Sequence, residues 1–415
     1  MAAVVPSTRI ERVALTRSQW IFLILLVISI FISYIDRGSL SVADKYLQDE
    51  FSLDATHRGA IYSMFFWGYT PALVLAGWLV DRFNVNRVLA GGFLLWSAAT
   101  LLTGAANGFA MLVCLRLLLG LGESVAYPAY SKILAGNFQE NQRGLANAAI
   151  DAGSKLGPAL SVLLGGLMMA RYGWRIFFVI TGLLSLLWLV PWFFLAPKDR
   201  VLPHHAKGKV PGFGEILSKR AAWGTFIGLF CGNYVWYFII TWLPGYFRDE
   251  LHYTQSEMAV LASAPLLVLA VSALTSGYLS DRWISRGGNP NTVRKTFTGL
   301  GLGGSTIMFA AVLVHDRQSS MLALCAACLA YGLYSSNLWA IAQTLAGPWA
   351  AGRWTGLQNA FGNISGMIAP WLTGWIVQKT GQFYWAFAIT TVLLVIGTIS
   401  FTLIIPRVEP AKWRD

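Results

Sequence analysis

Apolar residues in this chain come in blocks of about twenty, the number of helical residues that crosses ~30 Å of hydrocarbon. Short polar breaks separate the blocks. The pattern predicts helical spans near 20–42, 56–80, 87–107, 109–134, 143–170, 173–196, 222–247, 256–280, 294–314, 319–346, 353–378 and 381–405. Trp20–Tyr34 opens the first without a charge. That block is too long, and followed by too many others, for a cleaved signal peptide. The longest polar stretch, 197–221, divides six spans from six. The predicted fold class is an all-α membrane protein with twelve transmembrane helices. Residues 1–196 form an N-terminal six-helix bundle, 197–221 a cytoplasmic linker, and 222–415 a C-terminal six-helix bundle.

Composition agrees. Hydrophobic residues make up 56% of 415 positions and charged residues 12%, against about 25% charged in a soluble domain. The net charge of +12 raises the question of nucleic acid, but a nucleic-acid surface gathers its basic residues on one soluble face. Here they follow topology. With the N-terminus inside, the cytoplasmic segments and the turns flanking them hold 21 Lys and Arg, the opposite ones 7. That bias puts both termini in the cytoplasm. The expected surroundings are membrane lipid, and no nucleic-acid partner is expected.

Candidate soluble chemistry adds little. No GxxxxGK[ST] phosphate cradle and no HExxH occurs, so neither ATP hydrolysis nor metalloenzyme chemistry has a sequence basis. No enzyme activity, cofactor or metal is expected. Cys325 and Cys328 form a CxxC inside an apolar helix without His nearby, and Cys114 and Cys231 also sit in spans. Such cysteines read as small packing residues. The histidines (His57, His204, His205, His252, His315) fall in loops or at span ends.

The chain repeats itself. Gly77-Trp78-Leu79-Val80-Asp81-Arg82 returns as Gly277-Tyr278-Leu279-Ser280-Asp281-Arg282, 200 residues on. Gly144-Leu145-Ala146-Asn147-Ala148 returns as Gly356-Leu357-Gln358-Asn359-Ala360, 212 residues on. Two echoes in the same order imply two pseudo-symmetric halves, a plan that places a substrate site near the midplane between them. The motif Gly77-x-Leu79-x-Asp81-Arg82, followed by Arg87, resembles the loop 2–3 signature of the major facilitator superfamily, with Asn84 where that signature has Gly. A gating latch is the expected role of Gly77, Asp81, Arg82, Arg87, Asp281 and Arg282. Carboxylates accept hydrogen bonds at helix ends, and arginines pair with acids or helix C-termini.

Ionisable residues inside spans are costly and mark function. Six qualify, all in the first half: Asp36, Arg37, Arg116, Glu123, Asp151 and Lys155. Arg116 and Glu123 are seven apart, two turns along one face. An arrangement with Asp36 and Glu123 in one cavity and Arg116 nearby sets burial against a neighbouring cation, the competition that tunes a proton site. Asp151 and Lys155 have the i,i+4 spacing of an ion pair. Lys155 either pairs with Asp151 or meets substrate.

Tyr34-Ile35-Asp36-Arg37, Trp67-x-Tyr69, Arg116, Glu123-x-x-x-x-Pro128, Thr241-Trp242-Leu243-Pro244, Trp339 and Asn359 resemble the anion:cation symporter family of that superfamily. Within it the likeness is to the bacterial D-galactonate and sugar-acid:proton symporters, with sialin and vesicular glutamate carriers as distant kin. The resemblance implies a protonated pair at Asp36 and Glu123, with Arg116 beside it, and an anion held by Arg37. It implies a sugar-acid site lined by Tyr34, Tyr69, Ser336, Trp339 and Asn359. Sugar-acid members carry Gln about where this chain has Ser154, followed here by Lys155. Facing adds Tyr237, and with it Tyr234. The expectation is a bacterial inner-membrane carrier, working as a monomer, for proton-coupled uptake of an organic acid anion such as an aldonate, aldarate or uronate. Exchange or facilitated transport of organic anions, or symport of dicarboxylic or aromatic carboxylates, is the alternative.

Overall fold

The computed structural model describes residues 15–53, 55–196, 211–253, 263–314 and 316–413. Most of the expected linker, including His204 and His205, and the start of the eighth span lie outside them. Among the described residues the helices are α1 Arg17–Phe51, α2 Ala55–Arg82, α3 Val85–Thr103, α4 Phe109–Asn137, α5 Glu140–Tyr172, α6 Trp174–Leu195, α7 Arg220–Asp249, α8 Ser263–Ser285 and α9 Pro290–Leu313. A 64-residue helix, Arg317–Thr380, supplies α10 and α11, and Tyr384–Ile404 is α12. Ten helices among the described residues are long and apolar enough to span a membrane, and Arg317–Thr380, counted once, is long enough to do so twice. The described part of α5 is not among the ten: its first half carries Glu140, Arg143, Asp151 and Lys155.

The expected loop at 347–352 is a single-residue break. Gly347 takes φ 64°, a left-handed conformation open to glycine, and Pro348 restarts the helix with its fixed φ and no N–H to satisfy. The fourth crossing loosens at Ser124–Val125. Pro128, inside the next turn, has no N–H to return to the Ser124 carbonyl. The chain therefore relaxes directly after Glu123.

Buried apolar residues gather by half. Leu26, Ile30, Phe93, Trp96, Trp188 and Trp192 belong to one core, and Leu40, Trp174 and Phe178 to a smaller one at the far end of the same half. Phe226, Phe238, Phe247, Trp354 and Phe387 belong to the core of the other half. The halves meet crosswise, α2 on α11 and α8 on α5. A Cβ on Gly77 would lie 2.6 Å from the Gly352 carbonyl, and one on Gly277 2.6 Å from the Gly144 carbonyl, so both crossings demand glycine. These contacts match Gly144 with Gly352. The sequence echo matches Gly144 with Gly356, one helical turn later.

Candidate functional site

Between the halves lies a cavity lined by side chains from both. From α1, Arg37 enters it with its guanidinium against three rings: Tyr34 and Phe65 at 4.6 Å and Tyr69 at 4.8 Å. Its Nε donates to Glu123 Oε2 at 2.5 Å. Glu123 is fully buried, and its other oxygen has no hydrogen-bond partner among the described residues. Asp36, beside Arg37 in sequence, is buried, and neither of its carboxylate oxygens has one among them. Arg116 donates to the Asp36 backbone carbonyl, at 3.4 Å. Asp36 and Glu123 are near enough for their charges to repel, with Arg116 acting on both. The expected acid pair and its cation therefore come together, but the close ion pair is Arg37–Glu123.

A polar chain crosses the cavity wall. Tyr237 donates to Asn363 Oδ1 at 2.8 Å, Asn363 Nδ2 donates to Asn359 Oδ1 at 2.9 Å, and Asn359 Nδ2 donates to the Tyr69 hydroxyl at 3.2 Å. Tyr69 in turn lies against Arg37, so second-half amides are linked to the first-half cation. Trp339 stacks on Tyr127, centroids 5.1 Å apart.

Lys155 is on the same wall. Its Nζ is 3.0 Å from Asp151 Oδ1 and sits 4.0 Å over the Trp236 ring of the other half. The other Asp151 oxygen accepts from the Ser335 hydroxyl at 3.3 Å. Lys155 therefore pairs with Asp151 and also lines the cavity.

Three expected wall positions move. Ser336 is fully buried and not on the wall, whereas Ser335 is. One residue turns a helix by about 100°, so α10 presents Ser335 and not Ser336 to the cavity. Ser154 donates to the Asp151 carbonyl of its own helix at 2.6 Å instead of lining the cavity. Tyr234 is buried off the cavity wall, while Tyr237, almost one turn later, lines it. Tyr127, Asn233, Trp236, Tyr331 and Asn363 also line the cavity. Nothing in their residue type sets them apart among 18 Trp and 15 Tyr.

The repeated motifs form two clasps at one end of the molecule. Asp81 accepts from the backbone N–H of Gly352 at 3.1 Å and Arg353 at 2.7 Å. Asp281 accepts from Gly144 at 3.1 Å and Leu145 at 2.7 Å. The expected arginines do not join them. Arg82 is exposed and lies over Trp78, Arg282 donates to Tyr278 at 3.3 Å, and Arg87 is exposed. The cation at the second clasp is Arg294, fully buried. It reaches Asp281, Ser280 and Asn337 at 2.9 Å and the Glu140 carbonyl at 2.7 Å.

Comparison with known proteins places this geometry. The family model of the Major Facilitator Superfamily matches residues 26–347 and again 249–415. The chloroplastic ascorbate transporter of Arabidopsis thaliana is 30% identical over 93% of this chain and 74% of its own. The probable galactarate/D-glucarate transporter of Escherichia coli K12 is 29% identical over 94% of both chains. The crystal structure of the E. coli fucose:proton symporter shares the fold, with a TM-score of 0.73 at 14% identity over 94% of this chain and 99% of its own. The chain is an integral membrane transporter of the Major Facilitator Superfamily, and within it resembles the anion:cation symporters of sugar acids.

Proposed function

We propose that the protein carries an organic acid anion of the sugar-acid class together with protons, by alternating access. The observation that carries this reading is the Arg37 site. A planar fork clad in aromatic rings offers a bidentate grip to a carboxylate. Glu123 holds Arg37 from behind, and neither carboxylate oxygen of Asp36 beside it has a hydrogen-bond partner among the described residues. Charge on Asp36, with Arg116 bonded only to its backbone carbonyl, would be costly in a buried site, and a bound proton removes it. Tyr69, Asn359 and Asn363 supply donors and acceptors for a hydroxylated chain. The named substrates of the two relatives, ascorbate and galactarate or D-glucarate, are small hydroxylated anions of that kind.

In this reading the site binds protons at Asp36 and Glu123 and the anion at Arg37 from outside. The halves then rock, and the Asp81 and Asp281 clasps open on the cytoplasmic side to release the load. The monomer is the working unit, in the bacterial inner membrane with both termini cytoplasmic. The halves divide at the 197–221 linker.

Proteoliposomes with an inward proton gradient test it. The wild type accumulates a sugar acid above the external concentration, with proton influx, while Asp36→Asn and Glu123→Gln lose uphill accumulation. Accumulation by either variant, or flux that requires an internal counter-anion and moves no protons, overturns the coupling.

A further inference from the structure

The cavity holds a second cation that the Arg37 site does not use. We propose that Lys155, backed by Asp151 and Ser335, is a second anion subsite, and that the substrate is a dianion whose acid groups are separated by a hydroxylated chain. This deepens the organic-anion reading and rests on it.

Three observations carry the inference. Lys155 and Arg37 line one chamber, and each is held from the side by a single carboxylate, Asp151 at 3.0 Å and Glu123 at 2.5 Å. The two cations therefore have the same construction: a charge oriented by an acid, with room for a second acceptor. The ammonium has three donors. One is engaged by Asp151, and the contact to Ser154 Oγ is long, at 3.4 Å.

The Asp151–Lys155 pair also spans the gap between halves, Lys155 over Trp236 and Asp151 to Ser335. A pair kept only for stability gains little from burial, because desolvation offsets attraction. One that touches both moving halves sits where a ligand registers closure. The wall also carries the Tyr69–Asn359–Asn363–Tyr237 chain, which suits hydroxyls. The distal carboxylate of a diacid would share or take Lys155 from Asp151, whose free oxygen keeps the Ser335 hydroxyl.

The test measures binding of matched six-carbon acids, a mono-acid (aldonate) and a diacid (aldarate), to the purified transporter by ligand-induced thermal shift and by competition for uptake. The wild type is expected to bind the diacid at least about 10-fold more tightly, roughly 1.4 kcal/mol. In Lys155→Gln that ratio falls to within about 2-fold. In Asp151→Asn, where Lys155 is released from its partner, the ratio rises. Lys155→Gln with Asp151→Asn, which leaves no unpaired charge, guards against misfolding and should also lose the ratio. Equal binding of both acids by the wild type, or a ratio unchanged in the Lys155 variants, overturns the second subsite while leaving the Arg37 reading standing. If neither acid binds the wild type at all, the organic-anion reading falls and this inference with it.

Discussion

The two clasps differ in what stands behind the same acid. Asp81 and Asp281 hold the backbone of the opposite half at matching distances, 3.1 and 2.7 Å in each case. No cation among the described residues comes within salt-bridge distance of the Asp81 carboxylate, and the nearby Lys132 donates to the Val80 carbonyl at 2.6 Å. Asp281 is gripped by the fully buried Arg294, which also reaches Glu140 across the interface, 3.4 Å from Nε to Oε1. Glu140 in turn meets Arg143 at 3.1 Å and bonds to Thr344. Duplication preserved the hydrogen-bonding geometry while the charge environment diverged. One clasp is an acid on two amides; the other is a node in a buried ionic network.

The largest effect should come from removing the node. Arg294→Leu leaves Asp281 without its cation and Glu140 with Arg143 alone, and breaking a buried pair by deleting one partner costs about 3–5 kcal/mol. Denaturation of the purified protein should show a loss of that size. A loss under about 1 kcal/mol would mean that Arg294 only fills space. Next come the acids themselves. Asp281→Asn strips a charge from Arg294 and, because an amide nitrogen only donates, also loses one of its two backbone bonds, about 2–3 kcal/mol. Asp81→Asn keeps one backbone bond as a neutral one and loses the other for the same reason, about 1–2 kcal/mol. Distances between spin labels across the clasp end should show more opening in Asp281→Asn. Equal opening in the two variants would erase the asymmetry.

Much of this was legible in the residues. The intramembrane charges identified Asp36, Arg37, Glu123 and Lys155 because such residues rarely sit idle in lipid. The repeat identified both clasp acids. Arg294 escaped because it lies at the start of a span, where a basic residue reads as a topological signal. The partners of Asp81 and Asp281 escaped because backbone amides carry no sequence signature. Ser335 and Ser336 are indistinguishable by type, and only the phase of α10, set by packing, selects one. Tyr127, Trp236 and Asn363 are hidden for the same reason: aromatic and amide residues face cavity, core and membrane interface alike. The 212-residue echo also overstates the repeat by one turn, since similarity of letters does not fix register across a helix break such as Gly347.

The motif arginines give a sharper test of what a clasp requires. Arg82 and Arg87 are exposed and make no ion pair among the described residues. Arg82→Ala and Arg87→Ala should each change stability by no more than about 0.5 kcal/mol and leave the clasp-end distances as in the wild type. Opening comparable to Asp81→Asn in either variant would restore the arginines to the latch.

The smallest effect supplies the control, because it lies within one half, outside the predicted first span. Glu50, near the end of α1, accepts from Arg175 at 2.6 Å and from Trp174 at 2.7 Å, and Arg175 also bonds the Gly104 and Ala106 carbonyls at 3.1 and 2.7 Å. The hydrogen bond from Arg175, then that from Trp174, holds the Glu50 carboxyl below the usual glutamate range. A depressed folded-state value gives stability that is present above the unfolded value of about 4.3 and is lost as pH falls through the folded one. The pair is half exposed, 39% and 41%, so solvent screening limits it to about 0.5 kcal/mol. Glu50→Gln should remove that increment at pH 7, and wild type and variant should converge below about pH 4. The variant should leave the clasp-end distances unchanged at every pH, since the hydrogen bonds of Glu50 and Arg175 go to Trp174, Gly104, Ala106 and each other, all in the first half. A Glu50→Gln protein that opened the clasps would mean that the two ends of the first half are coupled, and that the asymmetry between Asp81 and Asp281 is not set by Arg294 alone.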